Sequence, residues 1–177
     1  MPYSPVYFMQ EALKVAAEGL EKGELPIGAV VVLNDQIIAR AHTAERAEKR
    51  MLVHAELLAL QEAEYFAIGN NAFYRGWRSD VSLFTTLEPC LMCMGAAMSF
   101  FLGKIYYALE SPGDGAVSLV QSWQRRQEDF PAYRMPDIKS GLLRQESLNL
   151  FKAYVARHTS GGMWEWARAL VNTLEQP

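Results

Sequence analysis

The sequence predicts an α/β fold, a layered sheet with helices on both faces. Two observations predict it. Short β-branched runs alternate with stretches whose apolar residues recur at helical spacing. No internal repeat, low-complexity tract or long linker divides the 177 residues, so one domain spanning 1–177 is expected. Half of the residues are hydrophobic, enough for a substantial core.

Met1 to Pro5 reads as an irregular lead-in. Tyr7 to Gly19 reads as a helix, because Met9, Leu13, Ala16 and Leu20 form one apolar stripe. Ile27 to Leu33 is a dense β-branched run and reads as a buried strand. Asn34-Asp35 signals a turn, and Gln36 to Ala39 returns as the hairpin partner. Arg40 to Leu52 is charged and lacks a period; it is expected to be a loop lining a pocket, since it runs straight into His54. A helix is predicted from His54 to about Tyr65, broken at Gly69-Asn70-Asn71, with a surface loop over Phe73 to Asp80. Val81 to Thr86 reads as a strand, Cys90 to Leu102 as a buried helix stopped by Gly103, and Lys104 to Leu109 as a strand. Ser111 to Gly115 is a tight loop. The last third is read as a short helix from Ser118 to Arg126, an irregular stretch from Gln127 to Pro136, and helices over Leu142–Ala156 and Trp164–Leu174.

The chemistry gathers between His54 and Cys93, and both cysteines of the chain lie there. A hydrolytic zinc takes three protein ligands and keeps a fourth position for water. His54, Cys90 and Cys93 supply that set. Pro89 suits a helix start, and a helix N-terminus favours thiolates. Glu56 stands two residues after His54, roughly 200° around a helix. That suits a carboxylate overhanging the open face of the metal better than a fourth ligand. From there it can shuttle a proton from water to a ring nitrogen and a departing amine. The expected cofactor is one zinc per chain with a bound water or hydroxide. A purely structural zinc would want a fourth protein ligand, and no spacing recommends His42 or His158. Glu88 is read as bonding backbone N–H groups near the second helix.

His-x-Glu followed by Pro-Cys-x-x-Cys is the signature of zinc nucleobase deaminases. Three words occur in order: Leu25-Pro26-Ile27-Gly28-Ala29-Val30-Val31-Val32, His54-Ala55-Glu56-Leu57-Leu58-Ala59-Leu60, and Thr86-Leu87-Glu88-Pro89-Cys90-Leu91-Met92-Cys93-Met94-Gly95-Ala96. With them the chain resembles the cytidine deaminase-like superfamily, nearest the branch of tRNA adenosine deaminases and bacterial guanine deaminases. The likeness covers about residues 6–120, which sets a deaminase core apart from a helical C-terminal extension of about 121–177. It implies a three-layer α/β/α sandwich with a five-stranded mixed sheet, and a homodimer. It implies Glu56 as the catalytic residue and His54, Cys90 and Cys93 as metal ligands. Ala55 and Pro89, beside those ligands, are carried as substrate-binding candidates.

Thr43 occupies the place, eleven residues before the metal histidine, where the resembling enzymes have a substrate-binding asparagine. A threonine lacks the amide fork, so His42 is a second candidate pocket donor. No lysine stands in Ser111-Pro112-Gly113, where tRNA-acting members carry one, and the chain closes on Leu174-Glu175-Gln176-Pro177. Net charge is −3, which is unhelpful for phosphate contacts, although a local basic patch can sit inside an acidic average. The leading expectation is therefore a hydrolytic deaminase of a small nucleobase, nucleoside or related heterocycle. The alternatives are a tRNA adenosine-to-inosine deaminase, making nucleic acid the less favoured partner, and a non-catalytic zinc-binding protein. Trp164 and Trp166 are read either as pocket caps or as helix packing. Two cysteines two positions apart suit a reducing compartment, so a cytoplasmic location is expected. No apolar run is long enough to span a bilayer and no signal-peptide pattern opens the chain, so no membrane partner is expected.

Overall fold

The computed structural model of the chain describes residues 4–69, 78–124 and 133–176, with the side chains of residues 67–69, 78 and 79 left aside. The predicted break at Asn70-Asn71, most of the Phe73–Asp80 loop and much of the Gln127–Pro136 stretch lie outside the described residues.

Helix α1 (Pro5–Glu21) starts where Ser4 accepts from the Tyr7 N–H and proline occupies its first turn. Its buried side is Phe8, Met9, Ala12, Val15, Ala16 and Leu20. Strands β1 (Gly28–Leu33) and β2 (Gln36–His42) form the predicted hairpin. Asn34 and Asp35 both take positive φ, 49° and 61°, as a two-residue turn matched to strand twist requires. Gly28 is obligatory for a different reason: a Cβ there would stand 2.4 Å from the backbone of Ala16. The absent side chain lets α1 lie directly on β1.

Helix α2 (Glu45–Glu48) is a single turn inside the expected loop. Helix α3 (Ala55–Gly69) leads to β3 (Arg78–Leu87), and α4 (Leu91–Ser99) leads to β4 (Leu102–Leu109). Helix α4 ends earlier than predicted because Phe101 takes φ 62°, turning the chain so that Leu102 and Gly103 join β4. Helix α5 (Val117–Ser122) is followed by β5 (Asp137–Lys139), α6 (Arg144–Arg157) and α7 (Gly162–Glu175). Nothing local in the sequence marked β5, a three-residue strand that follows Pro136 directly.

The sheet order is β2-β1-β3-β4-β5. The β2, β1 and β3 neighbours are antiparallel, while β3, β4 and β5 run parallel, so the sheet is five-stranded and mixed. Alternation sorts the side chains. Ala29, Val31, Leu83 and Ile105 pack with α3, α4 and α5 on one face. Val30, Val32, Phe84 and Ala108 pack with α1 on the other. A third cluster joins α6 and α7 through Leu148, Phe151, Tyr154, Ala167, Leu170 and Val171 to Leu20, Leu25, Leu87 and Leu109. The C-terminal helices are thereby anchored beside the ends of the strands that deliver the site.

Candidate metal centre and its cavity

Strand β3 runs from the core into Glu88-Pro89-Cys90, and Cys90 stands at the N-cap of α4 with extended backbone. Cys93 follows in the first turn. His54 stands at the start of α3, where its carbonyl accepts from the Leu58 N–H at 3.0 Å. The parallel β3–α4–β4 unit and the packing of α3 against α4 bring the two helix starts together.

His54 Nδ1 lies 3.6 Å from the Sγ of Cys90 and 3.6 Å from that of Cys93, and the two sulfurs are 3.5 Å apart. A tetrahedral zinc with ordinary Zn–S and Zn–N bonds sets N···S edges of about 3.5 Å and an S···S edge of about 3.8 Å. The triangle matches that geometry, and two sulfurs with one imidazole match zinc's donor preference. The sulfur–sulfur hydrogen-bond contact with Cys93, opposed by burial and helped by the contact with His54, holds the Cys90 thiol down at about 4. His54 is pushed up to about 9, chiefly by its hydrogen bond to Cys90. The same sulfur–sulfur contact and burial push Cys93 far above the ordinary thiol range. Binding a zinc here requires both sulfurs as thiolates and a neutral imidazole, so metal uptake would release protons.

Glu56, in the first turn of α3, is 3% exposed. Burial raises its pKa from the ordinary carboxyl value. The Thr85 hydroxyl donates to Oε1 at 2.9 Å, and Oε2 lies 3.4 Å from Cys93 Sγ. Thr85 escaped the reading of the sequence; the only hint was a polar residue in the buried strand. Glu88 does what was expected of it: its oxygens accept from the backbone N–H groups of Ser111 at 3.0 Å and Val117 at 3.2 Å. A Cβ on Gly115 would fall 2.4 Å from that carboxyl carbon, so glycine makes the room.

A cavity of about 440 Å³ opens over the triad. His54, Ala55, Glu56 and Cys90 form its floor, Leu25, Ile27 and Leu87 give apolar wall, and Lys49 and Arg50 reach its lining from the segment after α2. Met163 and Trp166 of α7 reach it from the C-terminal third. Trp164 does not; its indole N–H donates to the Val155 carbonyl at 3.1 Å. The two tryptophans therefore split the two expectations between them.

Thr43 also lines the cavity, but it is 1% exposed and its hydroxyl lies 3.2 Å from the Val53 carbonyl. His42 is not brought to the cavity. Alternation along β2 turns it toward α1, where Nε2 meets Lys22 Nζ at 3.0 Å and Nδ1 meets the Thr43 carbonyl at 2.6 Å. Pro89 is buried outside the lining, and its carbonyl accepts from Ala116 N–H at 3.0 Å. Glu45, unremarked in the sequence, lines the cavity beside Thr43.

Residues 3–109 match the family model described as the cytidine and deoxycytidylate deaminase zinc-binding region. The chain belongs to this family. As a member it is a hydrolytic deaminase of C–N bonds with one zinc per chain. It is 38% identical over 159 residues to the tRNA-specific adenosine deaminase of a Streptococcus pyogenes serotype M18 strain, covering 87% of this chain and 93% of that one. A solved structure from work on A-to-I editing by tRNA:A34 deaminases at the wobble position superposes with a TM-score of 0.65 and 33% identity, covering 81% of this chain and 98% of its own. The guanine deaminase of Nitrosomonas europaea superposes with a TM-score of 0.64 at 20% identity, covering 85% of this chain and 84% of its own, a likeness of fold.

Proposed function

We propose that this deaminase converts adenosine to inosine in tRNA, with Glu56 as the proton shuttle and His54, Cys90 and Cys93 as the metal ligands. The observation that carries the substrate is the 38% identity to a tRNA-specific adenosine deaminase across 87% of the chain. This reverses the order of expectations drawn from net charge and from the missing lysine. Charge averaged over a chain is a weak guide to one surface: Lys49 and Arg50 are exposed and reach the cavity lining, where a phosphate backbone would pass.

When bound by His54, Cys90 and Cys93, zinc would supply the Lewis acidity that brings the pKa of water toward neutrality. The chain's own residues do the rest. Leu25, Ile27, Leu87 and Trp166 wall a flat ring and limit water around it. Glu56, held by Thr85, takes one proton from the attacking water and gives it to the ring nitrogen, then takes the remaining proton of the added hydroxyl and gives it to the departing amine. Adenosine and water become inosine and ammonia.

A second reading, a free base or nucleoside as substrate, is favoured by Thr43. Its hydroxyl is turned to protein partners rather than offered as an amide fork. The test is inosine formation in a tRNA anticodon stem-loop, beside ammonia release from adenine, adenosine, guanine, guanosine, cytosine, cytidine and an aminotriazine. Turnover of the stem-loop alone is expected. Turnover of a free compound with an inert stem-loop would put the second reading first.

The whole chain is taken as one domain working as a homodimer in the cytoplasm. Exposed Leu91, Leu119 and Trp123 gather along α4 and α5 as an apolar face suited to a second copy. Light scattering of the purified protein checks the dimer. Among the described residues no helix is long and apolar enough to cross a membrane.

A further inference from the structure

We infer that Glu45 is a positioning residue for the metal centre, holding the His54 imidazole in the tautomer that binds zinc. His54 turns Nδ1 to both sulfurs, which leaves Nε2 as the nitrogen that must carry the proton when the ring is a neutral ligand. Glu45 Oε1 faces that nitrogen at 3.8 Å. This is longer than a formed hydrogen bond and within one side-chain adjustment of it. Among the described residues Nε2 has no hydrogen bond, so the carboxylate is the acceptor that stands ready. Metal-bound histidines usually pass their second N–H to such an acceptor, which fixes the ring and raises its basicity.

The placement of Glu45 is built, not incidental. It opens α2, and the next two backbone N–H groups, of Arg46 and Ala47, donate to the buried Glu24 carboxylate at 3.0 and 2.7 Å. Glu24 is 1% exposed. The Glu45 carbonyl accepts from the Arg50 N–H at 3.2 Å, closing the turn. Thr43 Oγ1 lies 3.3 Å from Glu45 Oε2. Thr43, weighed as a substrate contact, therefore supports the carboxylate that faces the metal histidine.

The test needs no substrate, so its failure is separable from failure of the tRNA assignment. Zinc affinity is measured by chelator competition on the wild type, E45A and E45Q, with the ¹⁵N imidazole spectrum of the zinc-loaded protein reporting the His54 tautomer. Glu45 is partly exposed at a short helix, so both variants should fold. E45A should weaken zinc binding about tenfold or more, with a broadened or lost Nε2–H signal. E45Q keeps an acceptor oxygen and should recover part of both. Zinc affinity for E45A within about twofold of wild type would overturn the inference. Equal loss in E45A and E45Q with an unchanged tautomer would also overturn it.

Discussion

The metal-bearing core and the C-terminal helices meet at one cavity but are specified differently. In the core, His54, Glu56, Cys90 and Cys93 are held by two helix starts and one strand end, and each has a short list of workable substitutes. Helices α6 and α7 reach the same cavity through Met163 and Trp166, yet what holds them is apolar packing centred on Phe151. Chemistry constrains the first region residue by residue. Volume and hydrophobicity constrain the second.

That contrast can be broken by substitution. The largest effect is expected for Glu56→Ala: turnover should fall about 10³-fold or more, while zinc content by atomic emission stays near one per chain. Loss of zinc with activity would move Glu56 from shuttle to ligand. Next is Phe151→Ala. Phe151 is fully buried, and its truncation should cost about 3–5 kcal/mol in urea unfolding. The kcat per folded molecule should hardly change; a large fall would mean that α6 acts on the chemistry and not only on stability.

Trp166→Ala should be milder. Removing one wall of the cavity is expected to raise KM about tenfold, about 1.4 kcal/mol, with zinc retained. Unchanged KM would mean that the substrate does not reach α7. The smallest effect belongs to the Glu110–Arg144 pair at the start of α6. Arg144 Nε donates to both carboxyl oxygens, at 2.9 and 2.8 Å, and its guanidinium holds Glu110 below the usual carboxylate range. A depressed carboxyl pKa stabilises the fold above the unfolded value, and that stability is lost as pH falls through the folded one. The pair is over a third exposed, so solvent screening limits it to less than about 1 kcal/mol. Arg144→Met should lower Tm slightly at pH 7, and the deficit should vanish in acid. A deficit that persisted there would reassign Arg144 to packing.

The sequence by itself determined the His54, Cys90 and Cys93 metal set and the family, and singled out Glu56 as the proposed shuttle. Zinc accepts few donors and proton transfer accepts few groups, so residue identity and spacing carry the information. It also determined the layered sheet, because Ile27–Leu33, Val81–Thr86 and Lys104–Leu109 have the β-branched and aromatic density of buried strands. Only the tertiary structure decided which neighbours reach the site. His42 and Thr43 are adjacent in sequence, and the alternation of β2 sends them to different sides. Trp164 and Trp166 share a helix, and its rotation gives one to Val155 and the other to the cavity. Glu45 comes to face His54 because Glu24, far away in the chain, holds the turn that carries it. Such contacts depend on how elements pack, and no local pattern of residues records them.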